Sequence, residues 1–138
     1  MNERGFLDTN VLVYALDVAN SRKQGIARVL VARAVAGEFT VSVQVLAELA
    51  ATLLEKYRSM FTIQEVLAIL DSLKPVPLIK PDADLVRRAV EARAAYGVHF
   101  YDGMIIAAAE RAGSEKIWSE DLNPGEKYFG VAVVNPFR

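Results

Sequence analysis

The chain has no cysteine, so disulfides, iron–sulfur clusters, thiolate zinc sites and cysteine nucleophiles are excluded together. It has a single histidine, His99, and any metal must therefore be bound through oxygen or through that one imidazole. A surplus of positive charge is missing too. The 16 lysines and arginines stand against 17 aspartates and glutamates, a formal net charge of −1, which argues against a nucleic-acid binder working through bulk positive charge. One route stays open: if several carboxylates belong to one metal site, the rest of the chain is net positive, and bound divalent cations would draw in a phosphate backbone. Long apolar runs are also lacking. No stretch reaches the roughly 18 apolar residues of a spanning helix, and Met1 to Gly5 is polar with both charge signs, unlike a signal peptide. A soluble, cytoplasmic protein is expected. Repeats, low-complexity tracts and dividing linkers are absent, so residues 1–138 are expected to form a single domain.

What is present has the make-up of a globular protein. Of 138 residues, 53% are apolar and 24% charged, and a domain of this size buries roughly 70% of the surface its unfolded chain exposes. Phe6 to Leu7 begins an apolar stretch that Asp8 interrupts and Val11 to Leu16 resumes, which predicts a short buried strand ending near Asp8, then a helix or turn. Ser21 is a plausible N-cap for a helix in which Ile26, Val29, Leu30, Arg33 and Ala34 recur at helical spacing until Gly37. Phe39 to Val41 reads as a second strand. Ser42 then caps a helix with an apolar face of Val45, Leu46, Leu49, Thr52 and Leu53, and this helix carries Glu48. Thr62 to Glu65 matches a capping box for a helix that Lys74-Pro75 ends. Val76 to Ile79 predicts a short strand, at an edge because of Pro77. Asp82 or Pro81 opens a helix through Tyr96, closed by Gly97, and another runs from about Asp102 to Ala112, closed by Gly113. Lys116 to Trp118 and Val131 to Val134 complete the strands. Alternation of strands and helices predicts an α/β fold of three layers, helices covering both faces of a central, mostly parallel sheet of about five strands.

Sites in such sheets form in the crevice beyond the carboxyl ends of the strands. Asp8 ends the first strand, Asp121 lies just past the fourth, Asp102 stands at a helix start and Glu48 within the helix after the second strand, so all four can converge. Taken singly, an Asp at a helix start is ordinarily a cap and a Glu in a helix ordinarily solvated. Their neighbours raise the interest: Asp8 sits between Leu7 and an apolar run, Glu48 between Ala47 and Leu49, and Asp102 shortly before Met104-Ile105-Ile106. Two carboxylates about 4 Å apart repel by about 4 kcal/mol at an effective dielectric near 20, so a cluster of four requires protons or cations. Mg2+ or Mn2+, hard cations that take oxygen ligands, are the natural partners.

Four segments carry a resemblance that covers nearly the whole chain: F-L-D-T-N-V-L-V-Y from Phe6 to Tyr14, V-L-A-E-L from Val45 to Leu49, Y-D-G-M-I-I-A-A-A from Tyr101 to Ala109, and W-S-E-D-L from Trp118 to Leu122. Each alone is weak, but four in order and at this spacing are specific. In them the chain resembles the PIN-domain nucleases, and within that family the VapC-type toxins of toxin–antitoxin pairs. The resemblance implies that Asp8, Glu48, Asp102 and Asp121 occupy the family's acidic positions. It implies supporting roles for Thr9, Asn10, Ser42 and Ser119. Many relatives have a further acidic residue two positions after the last Asp, where this chain has Asn123; Glu120 is the one nearby carboxylate, although neighbours on an extended segment point opposite ways. The implied activity is metal-dependent endoribonuclease chemistry, in which a metal-activated water attacks a phosphodiester and leaves a 5′-phosphate and a 3′-hydroxyl. Asp8, Asp102 and Asp121 are expected to hold metal, with Glu48 a ligand or an orienter of water. The implied partners are an RNA substrate, a cognate antitoxin and a second copy of the chain, covering apolar helices such as Val45 to Leu54 and Val66 to Leu73.

Other residues are expected to play structural parts: His99 beside Phe100 and Tyr101, Trp118 and Phe100 in the core, and Asp17 in a local turn. Arg87, Arg88 and Arg93 on one helix, and Lys56 and Arg58 on another, are either phosphate-tracking or solvated. A phosphatase using an aspartyl nucleophile would need an acid two residues after Asp8, where Asn10 stands. A phospho-acceptor signalling domain would need its Asp at the end of the middle strand, which reads only Val76-Pro77-Leu78-Ile79. The rivals that stand are a catalytically silent PIN-like module that binds RNA or protein, and a housekeeping RNA-processing nuclease.

Overall fold

A computed structural model describes residues 4–138; the first three, part of the polar start read above, lie outside the described residues. Strand β1 (Gly5–Leu7) is buried along its whole length, as befits a central strand covered on both faces. It pairs in parallel with β2 (Phe39–Ser42) on one side and with β4 (Lys116–Trp118) on the other. Parallel pairing continues outward from β2 to β3 (Leu78–Ile79) and from β4 to β6 (Val131–Val134). The full order is β3-β2-β1-β4-β6-β5, with β5 (Lys127–Tyr128) antiparallel to β6. The sheet is thus mostly parallel and, among the described residues, has six strands rather than about five. The edge strand β3 is shorter than the expected Val76–Ile79; Pro77 lies just before it and accepts a hydrogen bond from the Val41 amide at 3.0 Å.

Helices flank the sheet in two groups. In one, α1 (Thr9–Leu16) packs against α2 (Ser21–Val35) and α3 (Val43–Glu55), and α3 against α4 (Ile63–Ser72); in the other, α5 (Ala83–Tyr96) packs on α6 (Phe100–Arg111). Capping follows the sequence closely. The Ser42 hydroxyl accepts from Val45 N at 3.2 Å, and Thr62 and Glu65 close both halves of their capping box. Asp82 caps α5, which Gly97 ends at φ 70°. Two boundaries differ. Helix α2 is capped by Asn20, whose side chain accepts from Lys23 N, so Ser21 is the first helical residue. Helix α6 starts at Phe100 instead of Asp102, because the His99 imidazole accepts from Tyr101 N at 3.3 Å and acts as the cap. His99 therefore has the structural part expected of it.

Gly25 lies exposed inside α2, where an added Cβ would meet nothing within 4 Å. With no packing role to offset its backbone entropy, Gly25→Ala is expected to stabilise the protein by about 0.5–1 kcal/mol. Urea unfolding should show a higher midpoint at unchanged slope; a lower midpoint would mean that the helix needs this glycine.

Candidate active site

The order of the sheet reverses between β1 and β4: β2 and β3 lie on one side of β1, and β4, β6 and β5 on the other. Open parallel sheets place their sites outside the strand ends at such a switch. The chain leaves β1 through Asp8 and leaves β4 through Ser119, Glu120 and Asp121, and the two exits are stitched together by Asp8 N donating to Trp118 O at 3.1 Å.

Asp8 is only 7% exposed and caps α1. Its Oδ1 accepts from Thr9 N at 2.7 Å; its Oδ2 accepts from Ser119 Oγ at 2.8 Å and from Asn10 Nδ2 at 3.4 Å. Burial pushes the Asp8 carboxyl up to about 6, against the pull of the Ser119 and Thr9 hydrogen bonds and with the help of the charges on Asp121 and Glu48. Asn10 bridges the two strand exits: its Nδ2 also donates to Asp121 Oδ2 at 3.1 Å, and its Oδ1 accepts from Glu120 N at 3.2 Å. Thr9 reaches sideways, its hydroxyl donating to Glu48 Oε1 at 3.1 Å. Asp102, in the first turn of α6, is half-buried; burial raises its carboxyl, Asp121 adds to this and His99 opposes it. The four acids are therefore electrically coupled, Asp8 to Asp121 and Glu48, and Asp102 to Asp121.

Among the described residues no three acid or imidazole groups close into a ready-made metal site. The coupling and the spacing agree once the donors are considered, since the Asn10 amide lies between Asp8 and Asp121 and the Thr9 hydroxyl engages Glu48, holding the carboxylates near but apart. The donor set still fits a hard divalent cation: it is all oxygen, and one member is a carboxyl whose ionised form is disfavoured until a positive charge arrives. Glu48 and Asp121 are themselves exposed, so apolar sequence neighbours pointed correctly to burial for Asp8 but not for Glu48.

Ser42 is not brought into this cluster; it is buried and its hydroxyl serves Val45 N. Glu120 is drawn away from Asp8, Glu48 and Asp102 towards α1 and α2. Its carboxylate accepts from the Tyr14 hydroxyl at 2.6 Å and pairs with Lys23, so it does not stand in for the acid missing at Asn123. Asn123 bonds the Tyr128 hydroxyl. Asp17 closes α1 and accepts from Ala19 N, the expected local turn. Arg88 is clamped by Glu110 at 2.8 Å through two nitrogens and lies 3.5 Å from the Phe129 ring centroid, which gives it a structural part, while the exposed Arg93 donates to Val98 O. Trp118 is only partly covered, with its buried indole N–H lacking a partner among the described residues, and Phe100 is half-buried at the start of α6.

Two devices at the site escaped the sequence reading. Gln44 donates to Glu48 Oε1 at 3.4 Å and to Tyr101 O at 3.0 Å, tying α3 to the first turn of α6; its position four residues before Glu48 puts both on one helix face, and that spacing was the available signal. Tyr14 and Lys23 form the second device, holding Glu120 and with it the segment that presents Asp121. From the acidic end a groove of about 540 Å3 follows α1 towards Asp17, Asn20, Lys56 and Tyr57.

Ser119 is fully buried and serves four neighbours: it donates to Asp8 and accepts from Asp121 N at 3.1 Å, Leu122 N at 3.2 Å and, at 3.5 Å, Asn10 Nδ2. Ser119→Ala takes one partner from Asp8 and leaves the Asp121 and Leu122 amides without theirs, each unpaired amide at about 1–3 kcal/mol before relaxation. The expected result is a protein about 2 kcal/mol less stable in urea, with activity about 10- to 100-fold lower, as for lost partners of metal ligands. Wild-type stability in the variant would show that water replaces the hydroxyl.

A mostly parallel sheet with an oxygen-rich acidic crevice at its switch point defines an α/β protein of the open-sheet class. The PIN domain family model matches residues 5–129. The chain belongs to the PIN-domain family. Among solved structures it is similar to a toxin–antitoxin complex from Klebsiella pneumoniae, at 20% identity and TM-score 0.69, covering 96% of this chain and 97% of that one. It is similar also to Mycobacterium tuberculosis VapC20, a sarcin-ricin-loop-cleaving toxin, at 21% identity and TM-score 0.66, covering 85% and 91%. VapBC2 from Rickettsia felis, bound to a fragment of its promoter DNA, matches at 17% identity and TM-score 0.66, covering 94% and 96%. At these identities the likeness establishes the fold. No curated protein sequence matches the chain.

Proposed function

We propose that the chain, as one domain over 1–138, is a Mg2+- or Mn2+-dependent endoribonuclease and the toxin of a VapBC-type pair, acting in the cytoplasm. The observation that carries the reading is the electrically coupled set of Asp8 and Asp121 beyond β1 and β4, Glu48 in α3 and Asp102 at the start of α6, in a member of the PIN-domain family. Asp8, Asp102 and Asp121 would hold the cation, with Glu48 holding a ligand or a water. A divalent cation there supplies a more acidic water and positive charge for the leaving oxygen. The chain's own residues set the frame. Ser119 and Thr9 N fix the Asp8 carboxylate, Asn10 spaces Asp8 from Asp121, and Thr9 with Gln44 aims Glu48. No histidine base is required, and the one histidine, His99, uses Nδ1 to cap α6. Among the described residues no helix is long and apolar enough to cross a membrane.

The toxin role draws support from the toxin–antitoxin assemblies among the similar structures. It also suits an apolar surface on and near α3 and α4, where Leu54, Met60, Ile63 and Leu67 are 43%, 48%, 63% and 55% exposed. A cognate antitoxin or a second copy of the chain would cover that surface. The test is cleavage of labelled single-stranded RNA with Mg2+ or Mn2+ and with EDTA, comparing wild type with Asp8→Asn and Asp102→Asn. Metal-dependent cutting lost in both variants is expected. Failure of folded wild type to cut several RNAs in either metal would favour the silent binding module. A strict monomer in solution would count against the homodimer.

A further inference from the structure

The groove beside the acidic site has two ends of different chemistry. At one end it meets Thr9, Asn10, Glu48 and Asp121; at the other it is lined by Asp17, Asn20, Lys56 and Tyr57. Helix α1 forms its floor. Eight residues at 1.5 Å rise put the far end about 12 Å from the acids, too far to touch a reacting phosphate yet continuous with it. The volume, about 540 Å3, is that of an ordinary small-ligand site.

Each far-end side chain offers a distinct contact. The half-buried Tyr57 has its hydroxyl 3.5 Å from Asp17 Oδ2, a long bond that leaves most of that oxygen's accepting capacity available. Oδ1 of Asp17 accepts one bond, from Ala19 N, and keeps its second lone pair. Asn20 uses its Oδ1 to accept from Lys23 N, which leaves its amide hydrogens to donate. Lys56 is exposed, with its ammonium 5.6 Å from the Tyr57 ring centroid, and among the described residues no ion pair engages it. An aromatic face, a carboxylate acceptor, an amide donor and a cation within one groove match the needs of a base in single-stranded RNA, stacked on an aromatic ring and read along its edge. A phosphate would be repelled by Asp17, so within the far end the base belongs at Asp17 and Tyr57, with its phosphate on the Lys56 side. Of the four bases, guanine presents adjacent imino and amino donors that a single carboxylate can accept together, whereas uracil presents one imino donor between two carbonyls.

We propose that this end of the groove is a base-reading subsite, in which Tyr57 stacks on a guanine flanking the cleaved bond, Asp17 accepts from its donor edge and Lys56 neutralises the intervening phosphate. The subsite rests on the reading of the chain as a ribonuclease.

The test is sequencing of the products from a randomised single-stranded RNA cut in Mn2+ by wild type, Asp17→Asn, Tyr57→Ala and Lys56→Met, each checked for folding by circular dichroism and thermal unfolding. Guanine should be enriched about fivefold or more at one fixed flanking position. Asp17→Asn should lose that enrichment, its cuts being spread over all four flanking bases. Tyr57→Ala should raise KM about tenfold with kcat little changed, the signature of lost stacking, and Lys56→Met should lower the salt dependence by about one phosphate contact. Retained enrichment and KM in folded Asp17→Asn and Tyr57→Ala would overturn the subsite while leaving the nuclease intact. If wild type cuts no RNA, binding of guanine-rich and uracil-rich oligomers to the same proteins decides: a preference abolished by Asp17→Asn supports the subsite, and equal affinities overturn it.

Discussion

Asp8→Asn is expected to lower RNA cleavage by about a thousandfold and, in the same protein, to flatten the pH dependence of folding. The two effects share a cause. The carboxyl of Asp8 is nearly enclosed and faces the charges of Asp121 and Glu48, and its ionisation is held off until about pH 6 in the folded chain against an ordinary value of 3.8. Between those two values the folded chain binds more proton than the unfolded one, so raising the pH removes stability. What Asp8 contributes is fully present below 3.8 and is lost as the pH rises through about 6. The two values differ by about 2, which corresponds to about 3 kcal/mol. Urea unfolding in EDTA at intervals from acid to neutral pH should show that loss in wild type and not in Asp8→Asn. Adding Mn2+ at neutral pH should return stability to wild type, since a cation favours the ionised carboxylate, and should leave the variant unmoved. Equal pH slopes for the two proteins would mean that Asp8 ionises as an exposed acid does, and the account of the site would fail with it.

Most of the scaffold for that site was legible from local signals. Helix caps at Ser42, Thr62 and Asp82 and the stop at Gly97 are chemistry between residues a few positions apart, and they stand where the pattern put them. Strands β1, β2 and β4 are short, but their apolar runs are bounded clearly by Asp8, Ser42 and Ser119. Less legible were features in which distant segments override local preference. The β5–β6 hairpin turns through Phe129 at φ 49° and Gly130 at φ 83°. A phenylalanine is a poor advertisement for a turn with left-handed backbone; here tertiary contacts hold it, with Phe129 N donating to the Tyr96 hydroxyl at 2.9 Å and Arg88 over its ring. The start of α6 was hidden for a similar reason, because histidine is a less familiar cap than aspartate. In the site itself, motif order brought Asp8, Glu48, Asp102 and Asp121 to attention, whereas the partners that separate them could be seen only in three dimensions. The capture of Glu120 by Tyr14 and Lys23 was equally invisible, since nothing local distinguishes a carboxylate facing the crevice from one facing α2.

Gly103→Ala is expected to be among the most damaging single-methyl changes outside the acids. Helix α6 places Asp102, and it does so by lying close against α5. A Cβ built on Gly103 would stand 2.6 Å from the Ala89 carbonyl oxygen and 3.4 Å from the Ala89 C and Cα, all backbone atoms of a fully buried residue. A flexible side chain could swing away from that contact; a helix backbone cannot. The two helices must part, and overpacking of this kind costs about 1–3 kcal/mol, even though alanine is the better helix former by about 1 kcal/mol. The same displacement is carried directly to Asp102, the adjacent residue, whose carboxyl is half-buried and coupled to Asp121. Misplacement of a catalytic group by about 1 Å can lower turnover about a hundredfold. Gly103→Ala should therefore unfold at lower urea and lose activity even at temperatures where it is fully folded, while Gly25→Ala, the same chemical change in open space, should gain stability and keep its activity. If Gly103→Ala matched wild type in both respects, the close approach of α5 and α6 would not be what positions Asp102.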